Sequence, residues 1–82
     1  MQLILYGRHA CHLCEVMQAE LVHFMGSQSY ELEIRDVDSR PEWREAFGLS
    51  VPVLTDSCGV RISEYHLDES QLSAWLAQQH TE

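Results

Sequence analysis

This sequence predicts an α/β domain built on a four-stranded mixed sheet with helices on both faces. Three observations carry that expectation. The order strand, helix, strand, helix, strand, strand, helix can be read along the 82 residues. The opening strand–helix–strand unit demands a parallel pair joined by a right-handed crossover. A turn-linked pair of strands near the end adds an antiparallel pair. At this length the chain is one domain over residues 1–82, burying roughly 60–65% of the surface its unfolded form exposes.

Each element has its own signal. Leu3-Ile4-Leu5-Tyr6 is a continuous apolar run suited to a strand buried on both faces, and Gly7 to Ala10 reads as a loop. From Cys11 or Cys14 to Met25, apolar Met17, Leu21, Phe24 and Met25 recur at helical spacing, and Gly26-Ser27 stops the pattern. Tyr30, Leu32 and Ile34 alternate with Glu31, Glu33 and Arg35, which predicts a strand with that apolar row half-buried. Ser39-Arg40-Pro41-Glu42 has capping-box spacing with proline in the first turn, so a short helix should run to Phe47 and end at Gly48.

Val51-Pro52-Val53-Leu54 enters a third strand, with proline where a strand tolerates the missing N–H. Asp56-Ser57-Cys58-Gly59 supplies turn chemistry and makes Val60 to Ser63 a fourth strand. Asp68 to Gln71 caps a last helix with Leu72, Trp75 and Leu76 on its apolar face. Met17, Met25, Phe24, Trp75 and Trp43 are expected in the core. His23, His66 and His80 are expected at or near the surface.

Composition excludes several classes of function. The formal charge is −8, and lysine is absent. The five cations are the scattered Arg8, Arg35, Arg40, Arg44 and Arg61. Nucleic acids and anionic membranes require clustered basic residues, so neither is an expected partner. The first apolar run is too short for a signal-peptide core, and nothing approaches the roughly 20 apolar residues of a membrane span. Three cysteines do not read as a secreted disulfide framework, so a cytoplasmic location is expected.

The residues that carry chemistry are Cys11-His12-Leu13-Cys14. Two thiols three positions apart at a helix start can close a disulfide with little backbone movement. The helix N-terminus favours the thiolate, the form that attacks. With this pair after the first strand and Val51-Pro52 entering the third, the whole chain resembles the glutaredoxins of the thioredoxin-fold superfamily, and especially the small glutaredoxin-like proteins of bacteria. Tyr6-Gly7-Arg8 stands where that family has Tyr-Ser-Lys. Asp36-Val37-Asp38 followed by Pro41-Glu42 looks like its second strand and exit, and Ser50-Val51-Pro52 looks like its Thr-Val-Pro.

The resemblance implies a thiol–disulfide oxidoreductase whose Val51–Pro52 bond is cis. It also implies that the backbone of Val51 meets an extended substrate. Two departures stand out: the usual Cys-Pro-Tyr-Cys is Cys11-His12-Leu13-Cys14, and the Gly-Gly and acidic pair that hold glutathione are replaced by Ile62-Ser63-Glu64-Tyr65. Glu64 would repel a peptide carboxylate there.

Cys11, preceding the helix, is expected to be the more exposed thiol and the nucleophile, and Cys14 the resolving thiol. An ordinary thiol, with a pKa of about 8.5, is only a few per cent ionised at pH 7. Bringing it near 7 takes roughly 2 kcal/mol, about the most that a helix N-terminus contributes. Protonated His12 or His9 would add to this, and Glu15 would oppose it. Arg8 is the candidate for a substrate carboxylate, since no lysine competes for that role.

The expected partner is a disulfide-containing protein or a small-molecule thiol, acted on by a monomer. No permanently bound cofactor or metal is expected, and glutathione is a possible co-substrate. Three alternatives remain. One is monothiol deglutathionylation through Cys11 alone. Another is a non-catalytic binding module of the same fold. The third is a metal site using Cys11, Cys14, His9 and His12. Cys58 reads as an incidental thiol in an exposed turn.

Overall fold

The computed structural model describes residues 1–79, so the expectation for His80 lies outside the described residues. Its elements are β1 (Gln2–Gly7), α1 (His12–Met25), β2 (Glu31–Asp36), a 3-10 turn (Val37–Ser39), α2 (Pro41–Phe47), β3 (Val53–Asp56), β4 (Arg61–Glu64) and α3 (Glu69–Gln79). The four strands form one sheet in the order β2-β1-β3-β4. β1 runs parallel to β2, with Leu5 opposite Ile34 and Tyr6 opposite Arg35. β3 runs antiparallel to β1, with Val53 opposite Tyr6, and β4 runs antiparallel to β3 with a register shift after Leu54.

Alternation along the central strand divides the core in two. Leu3 and Leu5 pack with Leu54 and Ile62 against Met17, Leu21 and Met25 of α1 and Leu72, Trp75 and Leu76 of α3. On the other face, Ile4, Tyr6, Val37 and Val53 meet Trp43 and Phe47 of α2. The Tyr6 ring stacks on Phe47 at 4.1 Å and meets Trp43 edge-on at 5.8 Å. Trp43 and Phe24 are partly buried at the margins of these two cores.

Caps fix the ends of the elements. Gly26 ends α1 at φ 58°, a conformation natural to glycine, and its N–H bonds the Val22 carbonyl. Asp68 accepts from the Gln71 N–H at 3.0 Å and caps α3. Asp56 organises the β3–β4 turn, its carboxylate receiving the N–H groups of Cys58 (2.8 Å) and Val60 (3.0 Å). The same carboxylate accepts the indole N–H of Trp75 at 3.0 Å, tying the hairpin to α3. Among the described residues, no helix is long and apolar enough to cross a membrane.

Two sequence expectations are corrected. Ser39 does not cap α2: the preceding 3-10 turn draws its hydroxyl onto the Asp36 carbonyl at 2.6 Å. The N-cap position falls to Arg40, which makes no side-chain capping bond. Ile34 is not half-buried but 54% exposed. Its parity is as read, since it shares a sheet face with Leu5. β2, however, is the sheet edge, and beside Ile34 lies a cavity rather than a packed helix.

Candidate functional site

Cys11 and Cys14 are disulfide-bonded, with Cα atoms 5.2 Å apart, at the N-terminus of α1. Cys11 is the N-cap, and its Sγ receives the Cys14 backbone N–H at 3.2 Å. One of the helix's unpaired N–H donors therefore points at the sulfur that sequence reasoning assigned as nucleophile. Both cysteines are partly exposed. Gly7, at the end of β1, lets the helix approach this closely. A Cβ there would stand 3.1 Å from the Cys14 Sγ.

Ala10, immediately before Cys11, is held at φ 57°, a left-handed conformation that costs a non-glycine residue on the order of 1–2 kcal/mol. Strained backbone of this kind gathers at functional sites. The other non-glycine residue with positive φ is Tyr65 at 66°, whose N–H bonds the Pro52 carbonyl at 2.9 Å.

The Val51–Pro52 peptide bond is cis. Pro52 is buried and Val51 partly so. Val53, which follows Pro52, pairs with Tyr6, and Tyr6 precedes Gly7, where a Cβ would meet the Cys14 sulfur. The third-strand entry and the start of α1 are thus both tied to the end of β1. His9 and His12 are both exposed, one in the β1–α1 loop and the other at the first position of α1.

Arg8 holds together two loops rather than standing free. Its guanidinium donates to Asp38 at 2.9 and 3.3 Å and to the Gly48 carbonyl at 3.0 Å. Arg44 donates to the same carboxylate at 3.3 Å, and its carbonyl receives the Gly48 N–H at 2.9 Å. Arg8, Asp38, Arg44 and Gly48 therefore form a closed ring of contacts. Gly48 is required there by space, since a Cβ would fall 2.5 Å from the Arg44 carbonyl oxygen. The hydrogen bond from Arg8, reinforced by Arg44, holds the Asp38 carboxyl below its ordinary range against the opposing effect of desolvation. Asp38, Arg44 and Gly48 were not identified from the sequence as site residues. Contacts between residues 30 and 40 positions apart leave no local pattern.

A cavity of about 310 Å³ opens beside the disulfide, lined by the β1–α1 loop, Glu15 and Gln18 of α1, and Ile34 to Asp36 of β2. A wider, shallower depression of about 700 Å³ runs along 61–71 at the opposite edge of the sheet and contains no thiol. Cys58 is exposed and free in the β3–β4 turn. Among the described residues, no three His, Cys, Asp or Glu side chains converge to hold a metal ion.

Comparison with known proteins adds independent findings. Residues 2–77 match the family described as "Glutaredoxin-like domain (DUF836)". The solution structure of protein Ne2328 from Nitrosomonas europaea is 32% identical, with 90% of this chain and 88% of that one aligned at a TM-score of 0.81. The X-ray structure of protein XcR50 from X. campestris is also 32% identical, covering 93% and 96% of the two chains at a TM-score of 0.65. Reduced Escherichia coli glutaredoxin shares the fold at 19% identity, a TM-score of 0.53 and 95% coverage of each chain. No curated protein matches the sequence.

Proposed function

The chain belongs to the glutaredoxin-like domain family, and from that membership we propose that it is a thiol–disulfide oxidoreductase working through Cys11 and Cys14. The observation that carries this reading is the cysteine pair joined at the start of α1, with an α1 N–H directed at the Cys11 Sγ.

In the reducing direction, the Cys11 thiolate attacks one sulfur of a substrate disulfide. A Cys11–substrate disulfide forms, and the other substrate sulfur leaves as a thiolate that takes a proton from solvent. Cys14 then loses its proton and attacks Cys11 Sγ, releasing the second substrate thiol and closing Cys11–Cys14. The substrate gains two electrons and two protons; the pair supplies both electrons and the Cys14 proton, and solvent supplies the other proton, the one Cys11 shed on ionising. An external thiol or dithiol restores the reduced pair by the reverse exchange.

The helix N-terminus favours the attacking thiolate, so Cys11 should titrate below about 8.5. Val51 and Pro52 form the wall along which a substrate backbone lies, and His12 and His9 flank the nucleophile. The substrates are disulfides of proteins or small thiols, and the protein acts as a monomer. A cytoplasmic, reducing compartment is supported by the odd number of cysteines.

The test is equilibration in graded glutathione redox buffers followed by thiol trapping and intact mass analysis. The expected result is loss of two hydrogens at Cys11 and Cys14 with a defined midpoint, and loss of turnover in both Cys11→Ser and Cys14→Ser. Turnover that survives Cys14→Ser would replace this reading with the monothiol route. A pair that stays reduced and unmodified throughout would overturn it.

A further inference from the structure

The cavity beside the disulfide has a lining that goes beyond what exchange chemistry needs. Leu5, Ala10 and the exposed Ile34 give it an apolar wall, and its acidic and basic lining consists of Arg8, Arg35, Glu15 and Asp36 together with the exposed imidazole of His9. The two cations are already partnered. Arg8 is ion-paired with Asp38, and Arg35 with Glu33 while also donating to the Tyr6 hydroxyl at 2.9 Å.

The two anions are matched differently. The Glu15 side chain makes no hydrogen bond or ion pair, and that of Asp36 receives only the Asp38 backbone N–H at 2.9 Å. Arg8 is also within electrostatic reach of Asp36, which leaves Glu15 as the unmatched charge. The whole chain carries −8. Neither arginine of the lining is free for a substrate carboxylate.

We propose that this cavity is a specificity pocket for a basic side chain of the substrate polypeptide near its disulfide cysteine. The proposal rests on the oxidoreductase reading and names the substrate class for the same site. A lysine or arginine suits both parts of the lining. Its methylene stem covers the apolar wall of Ile34, Leu5 and Ala10, and its charged head stays wet beside Glu15. A volume of about 310 Å³ lies at the small end of the range for ligand pockets and matches one long side chain rather than a folded surface. An acidic side chain in the same place would meet Glu15 with both lining arginines already ion-paired.

The experiment uses the reduced full-length chain and three disulfide peptides that differ only in the residue beside cysteine: lysine, norleucine or glutamate. Second-order exchange rates are read by stopped flow at low ionic strength. The expected order is lysine, then norleucine, then glutamate, with about five-fold between the first two, the factor one contact charge pair supplies in water. Higher salt shrinks that ratio.

Glu15→Gln should bring the lysine-to-norleucine ratio to unity, and Glu15→Lys should invert it. Taking a ratio removes any effect of either variant on the Cys11 thiolate, which both peptides meet alike. Equal rates for the three peptides, or a lysine preference unchanged in both Glu15 variants, would overturn the pocket and leave the oxidoreductase reading in place. No exchange with any peptide, nor with a small symmetric disulfide, would overturn the oxidoreductase reading and the pocket with it.

Discussion

At Gly7 a single hydrogen atom separates the end of β1 from the Cys14 sulfur. Gly7→Ala would place a methyl carbon 3.1 Å from Sγ, tighter than such contacts usually are, so the Cys14 side chain must give by a few tenths of an ångström. On the proposed function, the variant should remain folded but exchange disulfides several-fold more slowly, because the thiol assigned to the second attack is displaced. Single-turnover kinetics that separate the two attacks would show the loss in the second. The cysteines also predict a count: without reductant, an alkylating reagent should label Cys58 alone, and after reduction all three thiols, as read by intact mass. At this scale the local spacing of Cys11 and Cys14 was enough to expect that the two can pair, and the structure joins them. The sequence was a poor guide to Arg8, whose isolation among scattered arginines suggested a free cation. Its partners lie 30 and 40 residues away and became visible only with the fold.

Among the elements, the β3–β4 hairpin depends most on one side chain. Desolvation pushes the Asp56 carboxyl upward and is the largest single influence on it. The hydrogen bonds from Val60, Trp75, Cys58 and Gly59 together outweigh it and hold the group below 3.8. Because the folded-state value lies below the unfolded one, this stabilisation is complete above the ordinary carboxylate range and is lost as pH falls through the folded value. Asp56→Ala should cost about 1–3 kcal/mol by leaving the Trp75 indole N–H without its partner. Denaturant titration followed by tryptophan emission measures it, and the difference from the parent should narrow in acid. Periodicity located β2, α1 and α3, because each apolar row reports a face, while proline, capping and turn residues located α2, β3 and β4. What periodicity does not report is whether anything covers that face. Ile34 has the parity of Leu5 without its burial, and the 3-10 turn after β2 took Ser39 out of the cap its spacing suggested.

For the whole molecule, the order of elements was legible because alternating strands and helices admit few topologies. The ring joining Arg8, Asp38, Arg44 and Gly48 was not, because it exists only once three separate segments meet. Removing its central carboxylate with Asp38→Ala should speed amide hydrogen exchange in residues 8–11 and 48–51 together, with core strand β1 unchanged. Acceleration in one of the two loops alone would show that they are not linked. The ring has a mechanical consequence for the chemistry. One loop leads into Cys11 and the other into Pro52, and a closed circuit of contacts ties the two together. A polypeptide that presses on the Val51 wall therefore also loads the loop that aims Cys11. The two walls of the site take that load together.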